Sequence, residues 1–324
     1  MAARTRYAPD RGLTVRMTAT MFLLGLVFVV FIAAIIGIGT AYGASSSAIV
    51  LFAVVLGGGF AIGSLFYSDK IALATAGAHE VSPTDSPEAA RLHGIVDRLC
   101  ALANMPKPRL AIAPSPMLNA FATGRNSKTA VLVATTGLLN NTDLDDQELE
   151  AVLAHELSHV AHKDVVVMTI ASFLGIIAGL LVRFAFYGEL FGGGGRGNNN
   201  NNNGGALPVI FIVLLVGIVT YAISFLLIRL LSRYRELAAD RSGALLTGQP
   251  SKLASALQKV SGSMSRIPQK DLRSAEPLNA FYFVPAFKAG GKQVALANIF
   301  STHPTLERRL RQLSEISDQL NKQA

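Results

Sequence analysis

The 324-residue chain is predicted to be an α+β protein, mostly helical with a small β-sheet, carried on about four transmembrane helices. Two observations support this prediction. The composition is 51% hydrophobic and only 15% charged, with a mean hydropathy of +0.41, which is far more apolar than an ordinary soluble domain. The apolar residues are also concentrated in four long segments, separated by stretches with helical or alternating patterns.

The four apolar segments lie at about residues 17–38, 48–66, 165–186 and 207–231. Each is roughly 20 residues long, enough for a helix to cross about 30 Å of hydrocarbon. They divide the chain into a tail (1–16), a membrane hairpin (17–66), a soluble part (67–163), a second membrane hairpin (164–231) and a second soluble part (232–324). The Gly/Asn-rich stretch 192–205 cannot bury apolar surface, so we expect it to be a mobile loop.

Positive charge lies beside the apolar segments rather than in a separate basic patch. The net charge is +8, and the arginines concerned are Arg4, Arg6, Arg11, Arg16, Arg229, Arg233 and Arg235. This distribution follows the positive-inside rule, which predicts a multi-pass protein of the bilayer with its N-terminus and both soluble parts in the cytoplasm. An even number of spans between the soluble parts allows them to share one site. Because the positive charge is explained by arginines beside the membrane segments, no nucleic-acid partner is expected.

The first soluble part contains one clear helix and three strand candidates. Ser86 can cap a helix that runs to Ala103, because apolar residues recur there at helical spacing. Strands are predicted at 109–113, 119–123 and 129–135, with a turn at 124–128 between the last two. Asp143 or Asp145 then caps a second helix, which carries the sequence His155-Glu156-Leu157-Ser158-His159.

The His155-Glu156-Leu157-Ser158-His159 sequence has the H-E-x-x-H spacing that suits a catalytic zinc ion. Residues four apart lie one turn apart on the same helix face, so His155 and His159 can bind one ion. Glu156 can then reach a water on that ion and act as the general base. A catalytic zinc site needs one further protein ligand.

Two candidates exist for the third ligand. His162 is on the same helix, but three ligands on one straight helix fit a tetrahedron poorly. Glu236 and Asp240 are four apart on a predicted helix, so Glu236 could bind the metal while Asp240 accepts a hydrogen bond from a ligand histidine. The spacing alone leaves it open whether these two acids are instead a solvated pair beside the membrane.

The motifs taken together resemble the HtpX family of bacterial membrane metalloproteases, which are relatives of the zinc CAAX prenyl proteases. The matching segments, in chain order, are Asn119-Ala120-Phe121-Ala122-Thr123-Gly124, the H-E-x-x-H sequence, Glu236-Leu237-Ala238-Ala239-Asp240, and His303-Pro304 with Arg309. The resemblance implies a gluzincin-like zinc metalloprotease domain with one Zn²⁺ per chain. It also implies that Glu236 is the third ligand.

The resemblance places further residues at the site. His303 and Arg309 are expected there, with His303 stabilising the oxyanion and Arg309 supporting it or holding the substrate. From their sequence alone, a capped surface helix is the favoured interpretation of this segment. The segment 119–123 (Asn119, Ala120, Phe121, Ala122 and Thr123) is expected to be an exposed edge strand that binds an extended polypeptide.

The implied function is quality control of membrane proteins by cleavage of polypeptide substrates at the cytoplasmic face of the bacterial plasma membrane. Two other classes remain as alternatives. A four-helix transporter is disfavoured because the interiors of the spans hold almost no charged residues. A non-enzymatic scaffold with a structural zinc is disfavoured because such sites usually use cysteine, and the chain has one. The sequence does not specify an oligomeric state.

Overall fold

The structure is a computed structural model that describes residues 11–41, 46–192, 206–264 and 303–322. The predicted tail (mainly residues 1–10) and nearly all of the predicted loop 192–205 lie outside the described residues. The described helices are α1 (Arg11–Ala41), α2 (Ser46–Phe66), α3 (Ser68–Ala76), α4 (Pro87–Ala103), α5 (Thr136–Leu139), α6 (Asp146–Ala161), α7 (Asp164–Gly192), α8 (Ala206–Thr247), α9 (Pro250–Met264) and α10 (Leu306–Asn321). The described strands are β1 (His79–Glu80), β2 (Arg109–Ala113), β3 (Ala120–Thr123) and β4 (Val131–Thr135).

The chain forms two compact units. One unit contains the described residues of 1–15, 65–166 and 232–324, and we call it the peptidase unit. The other contains those of 16–64 and 167–231, and we call it the apolar unit. Helices α7 and α8 each begin in one unit and end in the other, with changes at Val167 and Ser232.

The apolar unit is built from α1, α2 and the apolar parts of α7 and α8. Its buried centre is formed by Leu24, Phe31, Ile35, Ala171, Ile177, Ala178 and Leu231. Many other large apolar side chains, such as Phe22 and Phe211, stay exposed. Apolar surface of this extent is expected on helices that are solvated by lipid.

Two described helices are long and apolar enough to cross a membrane, at Arg11–Ile38 and Phe211–Thr247. The number becomes three if the bent pair Asp146–Ala161 and Asp164–Leu180 is taken as one span. The structure therefore supports a membrane protein, but the predicted count of four spans is not confirmed for the described residues. Helix α6 is a poor candidate for half a span, since its residues are packed inside the peptidase unit.

The peptidase unit contains one mixed four-stranded sheet with the order β1-β2-β4-β3. Strands β2 and β4 are parallel, whereas β1 pairs antiparallel with β2 and β3 pairs antiparallel with β4. The three predicted strands are confirmed to within two residues, and β1 is an addition. Strand β3 lies at the edge of the sheet, as predicted.

The main core of the peptidase unit joins this sheet to α4, α6, α9 and α10. Local sequence signals determine where the helices begin. The Ser86 hydroxyl accepts a hydrogen bond from the Ala89 amide at the start of α4. Asp145, one of the two predicted caps, forms a reciprocal capping box with Glu148 at the start of α6. This cap fixes the first turn of the helix that carries the two candidate zinc ligands.

Candidate active site

Three segments of the peptidase unit bring the predicted site residues together. Helix α6 presents His155, Glu156 and His159, whereas α8 presents Glu236 and Asp240. The residues just before and within α10 contribute His303 and Arg309. All of these residues are buried except His159, which is half-buried. The site is thus formed by groups that are up to 154 residues apart in the chain, as counted from His155 to Arg309.

His155, His159 and Glu236 form a cluster that could hold a metal ion. One ligand atom from each residue lies within 4.8 Å of the others. The two histidine Nε2 atoms are 3.2 Å apart. The carboxylate oxygens of Glu236 lie 3.7 Å from His155 Nε2 and 3.6 Å from His159 Nε2.

These separations fit a tetrahedral ion. With metal–ligand bonds of about 2.0–2.2 Å, tetrahedral ligands lie roughly 3.4 Å apart. Two imidazole nitrogens and one carboxylate oxygen are also a donor set that zinc uses in catalytic sites. The residues present therefore fit a zinc ion with one coordination position left for water or substrate.

Asp240 and Arg309 lie on the side of the His155 ring that faces away from the metal cluster. The Nδ1 atom of His155 lies 2.9 Å from Asp240 Oδ1, so the opposite ring nitrogen faces the cluster. Arg309 donates to both carboxylate oxygens of Asp240, through Nε at 2.7 Å and Nη2 at 2.6 Å. In this position Arg309 is part of the support for His155, and its Nη1 atom is 3.9 Å from Glu236.

The environment of His155 favours the neutral imidazole that a metal requires. Complete burial lowers the pKa of His155 to about 4, because water is not available to solvate the charged ring. The Asp240 carboxylate opposes this shift but does not cancel it. A neutral ring at physiological pH does not have to lose a proton before it binds a cation.

Asp164 is a residue of the site that the sequence analysis missed. Its Oδ2 atom lies 2.6 Å from His159 Nδ1, which is the counterpart of the Asp240 contact with His155. Arg235 contacts the same carboxylate. The available signal was an acid directly after the H-E-x-x-H helix, five residues from His159. The turn at Lys163, with a φ of 56°, brings that acid back toward the histidine.

Glu156 is buried in a position suited to proton transfer. Burial raises its pKa to about 8, while the His159 ring and the backbone amide of Ala122 act in the opposite direction. A bound cation would lower this pKa further, since positive charge favours the carboxylate. A metal in the cluster would therefore favour the charged form of Glu156, which is the form that accepts a proton.

His303 and His162 occupy different positions. His303 is buried, with Nδ1 3.2 Å from Glu236 Oε2, so it lies next to the candidate ligands. His162 ends α6 and is outside the metal cluster. Its Nε2 atom is 3.3 Å from Ser242 Oγ, and its carbonyl oxygen accepts a hydrogen bond from Arg235.

Strand β3 packs against α6, the helix that carries the H-E-x-x-H sequence. The amide of Thr135 donates to the carbonyl of Asn119, so alternate residues of β3 direct their backbone groups to β4 and the others to the free edge. Ala120 and Ala122 belong to the second set. The predicted exposure is observed only in part, because α6 packs against β3 and only Ala122 is partly exposed among its four residues.

A close contact between α8 and α6 sets the distance between the two halves of the site. A Cβ atom on Gly243 would lie 2.9 Å from the backbone nitrogen of His155 and 3.1 Å from its Cα atom. Only glycine permits this approach. Because Glu236 and Asp240 are on the same helix, the contact at Gly243 also determines how close they come to His155.

The fold and the donor set together are those of a metallopeptidase. Comparison with known proteins agrees, since the model for peptidase family M48 matches residues 86–317. Protease HtpX homolog 1 of Streptomyces coelicolor is 53% identical over 98% of this chain and 97% of its own. Protease HtpX homologs of Moorella thermoacetica and Methanosarcina mazei (homolog 2) are each 46% identical over 98% of this chain and 98% and 100% of theirs. The chain therefore belongs to peptidase family M48 and, within it, to the HtpX proteases.

A crystal structure of S. mikatae Ste24p also matches, covering 95% of this chain and 67% of that chain with 18% identity and a TM-score of 0.48. A likeness of this size carries no functional argument. The family membership identifies the protein as a membrane metalloprotease acting on polypeptides, and zinc is the metal expected for such an enzyme.

Proposed function

We propose that this protein is a zinc-dependent endopeptidase that cleaves membrane or misfolded proteins on the cytoplasmic side of the membrane. The observation that carries the proposal is the convergence of His155, His159 and Glu236 within 4.8 Å, beside the buried carboxylate of Glu156. Three ligands with one open position are typical of catalytic zinc, whereas a structural zinc fills all four positions with protein atoms. A non-enzymatic scaffold with a structural zinc would not need the buried carboxylate of Glu156 beside the ligands.

Glu156 is the general base of the proposed reaction. When bound, zinc supplies Lewis-acid activation of a water molecule and of the peptide carbonyl. The Glu156 carboxylate accepts the proton that the water loses as it attacks the peptide carbon. The same carboxyl group can then pass that proton to the leaving amine. Its burial keeps bulk water away from this proton transfer.

His303 and Arg309 have different proposed roles. We assign His303 to the oxyanion, because its buried ring lies 3.2 Å from Glu236 and, unlike the guanidinium of Arg309, is not engaged with Asp240. Arg309 is assigned to orientation. Both oxygens of Asp240 are bound to its guanidinium, so the pair holds the His155 ring in place.

The substrate is proposed to bind along β3. The free-edge groups of Ala120 and the carbonyl of Ala122 can form backbone hydrogen bonds with an extended peptide, while Asn119, Phe121 and Thr123 stay paired with β4. Because the Ala122 amide also contacts the Glu156 carboxylate, a peptide paired at Ala122 would lie next to the general base. Backbone pairing recognises any extended segment, which suits an enzyme that removes damaged proteins of many sequences.

The cytoplasmic location rests on the charge distribution. We propose that 17–66 and 164–231 form two membrane hairpins, with the catalytic parts 67–163 and 232–324 on the side of the flanking arginines. The close packing of α6 against α8 in the peptidase unit requires both parts to be on the same side, which supports an even number of crossings between them.

The proposal is tested with purified full-length protein in detergent and a membrane-protein substrate. We expect zinc-dependent cleavage that stops on chelation and returns when zinc is added. Glu156→Gln should bind one zinc ion per chain and leave the substrate intact. Undiminished turnover by this variant would refute the proposed base, and tightly bound zinc without any cleavage by the wild type would favour the scaffold.

A further inference from the structure

We propose that Asp164 and Arg235 form a positioning pair that holds His159 in the orientation needed to bind the metal. The inference rests on the proposed function, because it concerns the ligands of the same zinc site. It assigns a role to two residues that lie outside both the H-E-x-x-H sequence and the Glu236–Asp240 pair. Neither residue is proposed to touch the metal or the substrate.

The first observation is the contact between Asp164 and His159. A separation of 2.6 Å between Oδ2 and Nδ1 is that of a short, charge-assisted hydrogen bond. When Nδ1 donates this bond, the lone pair of the ring lies on Nε2, which is the nitrogen that faces Glu236 and His155. Asp164 thus selects the tautomer and the ring orientation that a metal needs.

The second observation is that Asp164 is itself fixed. It is buried at the first position of α7, directly after Lys163, whose left-handed backbone turns the chain between the two helices. Arg235, only 4% exposed, contacts the Asp164 carboxylate and also donates to the carbonyl oxygen of His162 at 3.1 Å. One guanidinium therefore contacts both the Asp164 carboxylate and the backbone of the turn that precedes it.

The two histidines are supported from the same helix by different routes. Asp240 of α8 contacts His155 directly. Arg235, also on α8, acts on His159 through Asp164. Glu236, the third candidate ligand, lies between these residues in the sequence. The segment 235–240 thus contributes one ligand and orients the other two.

A purely structural role for Asp164 is the alternative, because an acid in the first turn of a helix interacts favourably with the helix dipole. Asp146 provides a matched comparison. It is also an acid in the first turn of a helix, α6, and it also pairs with an arginine, Arg91. Unlike Asp164, it is largely exposed and belongs to the opposite end of that helix from His159.

The experiment measures zinc affinity by competition with a chromophoric chelator, in full-length protein that carries Glu156→Gln to prevent self-cleavage. Asp164→Ala should weaken zinc binding by about 10–100-fold, the range found when the partner of a ligand histidine is removed. Asp164→Asn should lose less, because its amide oxygen still accepts the Nδ1 hydrogen bond. Asp146→Ala should remain within about twofold of the parent, since it removes a helix-end charge and an exposed ion pair with Arg91, neither of which contacts a ligand histidine.

Arg235 is tested in the same assay. Both contacts of Arg235 are made through Nη2, and the shorter lysine side chain keeps the positive charge without the reach of the guanidinium, so the zinc affinity of Arg235→Lys should fall between those of the parent and Arg235→Ala. Replacement of zinc by cobalt gives a second readout. The visible absorption of the bound Co²⁺ should change in Asp164→Ala and stay the same in Asp146→Ala, because only the former alters the geometry of a ligand.

The possible failures are distinguishable. If the parent binds zinc and Asp164→Ala binds it equally well with an unchanged cobalt spectrum, the positioning role is refuted while the proposed function stands. If the parent binds no zinc, both are refuted. Should Asp164→Ala fail to fold, Asp164→Asn and Arg235→Lys decide the question. A zinc affinity equal to that of the parent in both variants would overturn the inference.

Discussion

Arg309 and Asp240 form a fully buried ion pair in which two guanidinium nitrogens bind the two carboxylate oxygens, at 2.7 and 2.6 Å. Removal of one partner leaves the other charge buried without compensation. We therefore expect Arg309→Ala to lower the free energy of unfolding by about 3–5 kcal/mol. Arg309→Lys should be intermediate, because a single ammonium cannot replace the paired donors.

Denaturation of the detergent-solubilised protein measures this effect. Arg311→Ala is the control, since that arginine is on the same helix but exposed. A loss of less than about 1 kcal/mol in Arg309→Ala, similar to that of a surface substitution, would show that the pair does not stabilise the peptidase unit.

Glu236→Ala should reduce the zinc content of the purified protein well below one ion per chain. The reason is that the carboxylate supplies one of three protein donors, and two histidines alone hold the ion weakly. Zinc is measured by atomic emission after gel filtration. Glu315→Ala removes an exposed acid of α10 and should leave the zinc content unchanged. Full stoichiometry in Glu236→Ala would exclude this residue as a ligand.

His303→Ala should lower kcat while zinc remains bound. Loss of one donor to a developing oxyanion costs on the order of 100–1,000-fold in kcat. His93→Ala is a suitable control, because that histidine bonds to the Val81 carbonyl and to Lys107 instead of the site residues. A normal kcat in His303→Ala would exclude the oxyanion role, and a loss of zinc would indicate that His303 mainly holds Glu236.

Gly243→Ala should weaken zinc binding and destabilise the fold by about 1–3 kcal/mol, because the added methyl group meets the His155 backbone and must push α8 away from α6. Gly94→Ala is a control that should change the free energy of unfolding in the opposite direction. Gly94 lies in the middle of α4, and an added Cβ atom there would meet open space, so alanine should stabilise the helix by about 0.5–1 kcal/mol. Zinc titration and thermal unfolding distinguish the two variants, and wild-type zinc affinity in Gly243→Ala would contradict the close-contact interpretation.

Acid should destabilise the peptidase unit through Glu148. Burial alone would raise the pKa of this carboxyl group, but the ammonium of Lys259 and the hydroxyl of Ser255 outweigh burial and lower it below the ordinary value of 4.5. A group whose pKa is lower in the folded state contributes stability above its unfolded pKa and loses that contribution as the pH falls through the folded pKa. The denaturation midpoint should therefore decrease as the pH falls below about 4.5.

This pH dependence should become weaker in Glu148→Gln. The measurement uses chelated protein, so that protonation of the zinc ligands does not contribute. Glu307→Gln, which removes an exposed acid from the first turn of α10, should keep the wild-type profile. Identical profiles for Glu148→Gln and the wild type would remove Glu148 as a source of acid sensitivity.

The elements that could be predicted from the sequence are those with local causes. The cap at Ser86, the cap at Asp145 and the three strands of the first soluble part depend on short patterns, and all are observed. The H-E-x-x-H spacing likewise fixes two side chains on one helix face. The third candidate ligand required the family resemblance, because Glu236 is brought to His155 only by the packing of α8.

The contact of Asp164 with His159 and the contact of Arg309 with Asp240 could not be predicted from local patterns. The contact of Asp164 with His159 depends on the left-handed turn at Lys163, and nothing in the residue type of a lysine indicates that conformation. The pairing of Arg309 with Asp240 is a contact across 69 residues. The sheet order β1-β2-β4-β3 and the burial of most of β3 also follow from tertiary packing instead of local pattern.

The assembly of the site from α6, α8 and the start of α10 has a consequence for biosynthesis. A ribosome that has made α6 has produced the proposed general base and two candidate ligands, but neither the Glu236 carboxylate nor the Arg309 guanidinium exists yet. The growing chain therefore has no assembled active site while it and other nascent chains are still unfolded and susceptible to proteolysis. If the proposed roles of His303 and Arg309 hold, proteolysis requires this last segment to be translated and docked, so the order of synthesis would itself delay the enzyme's activity.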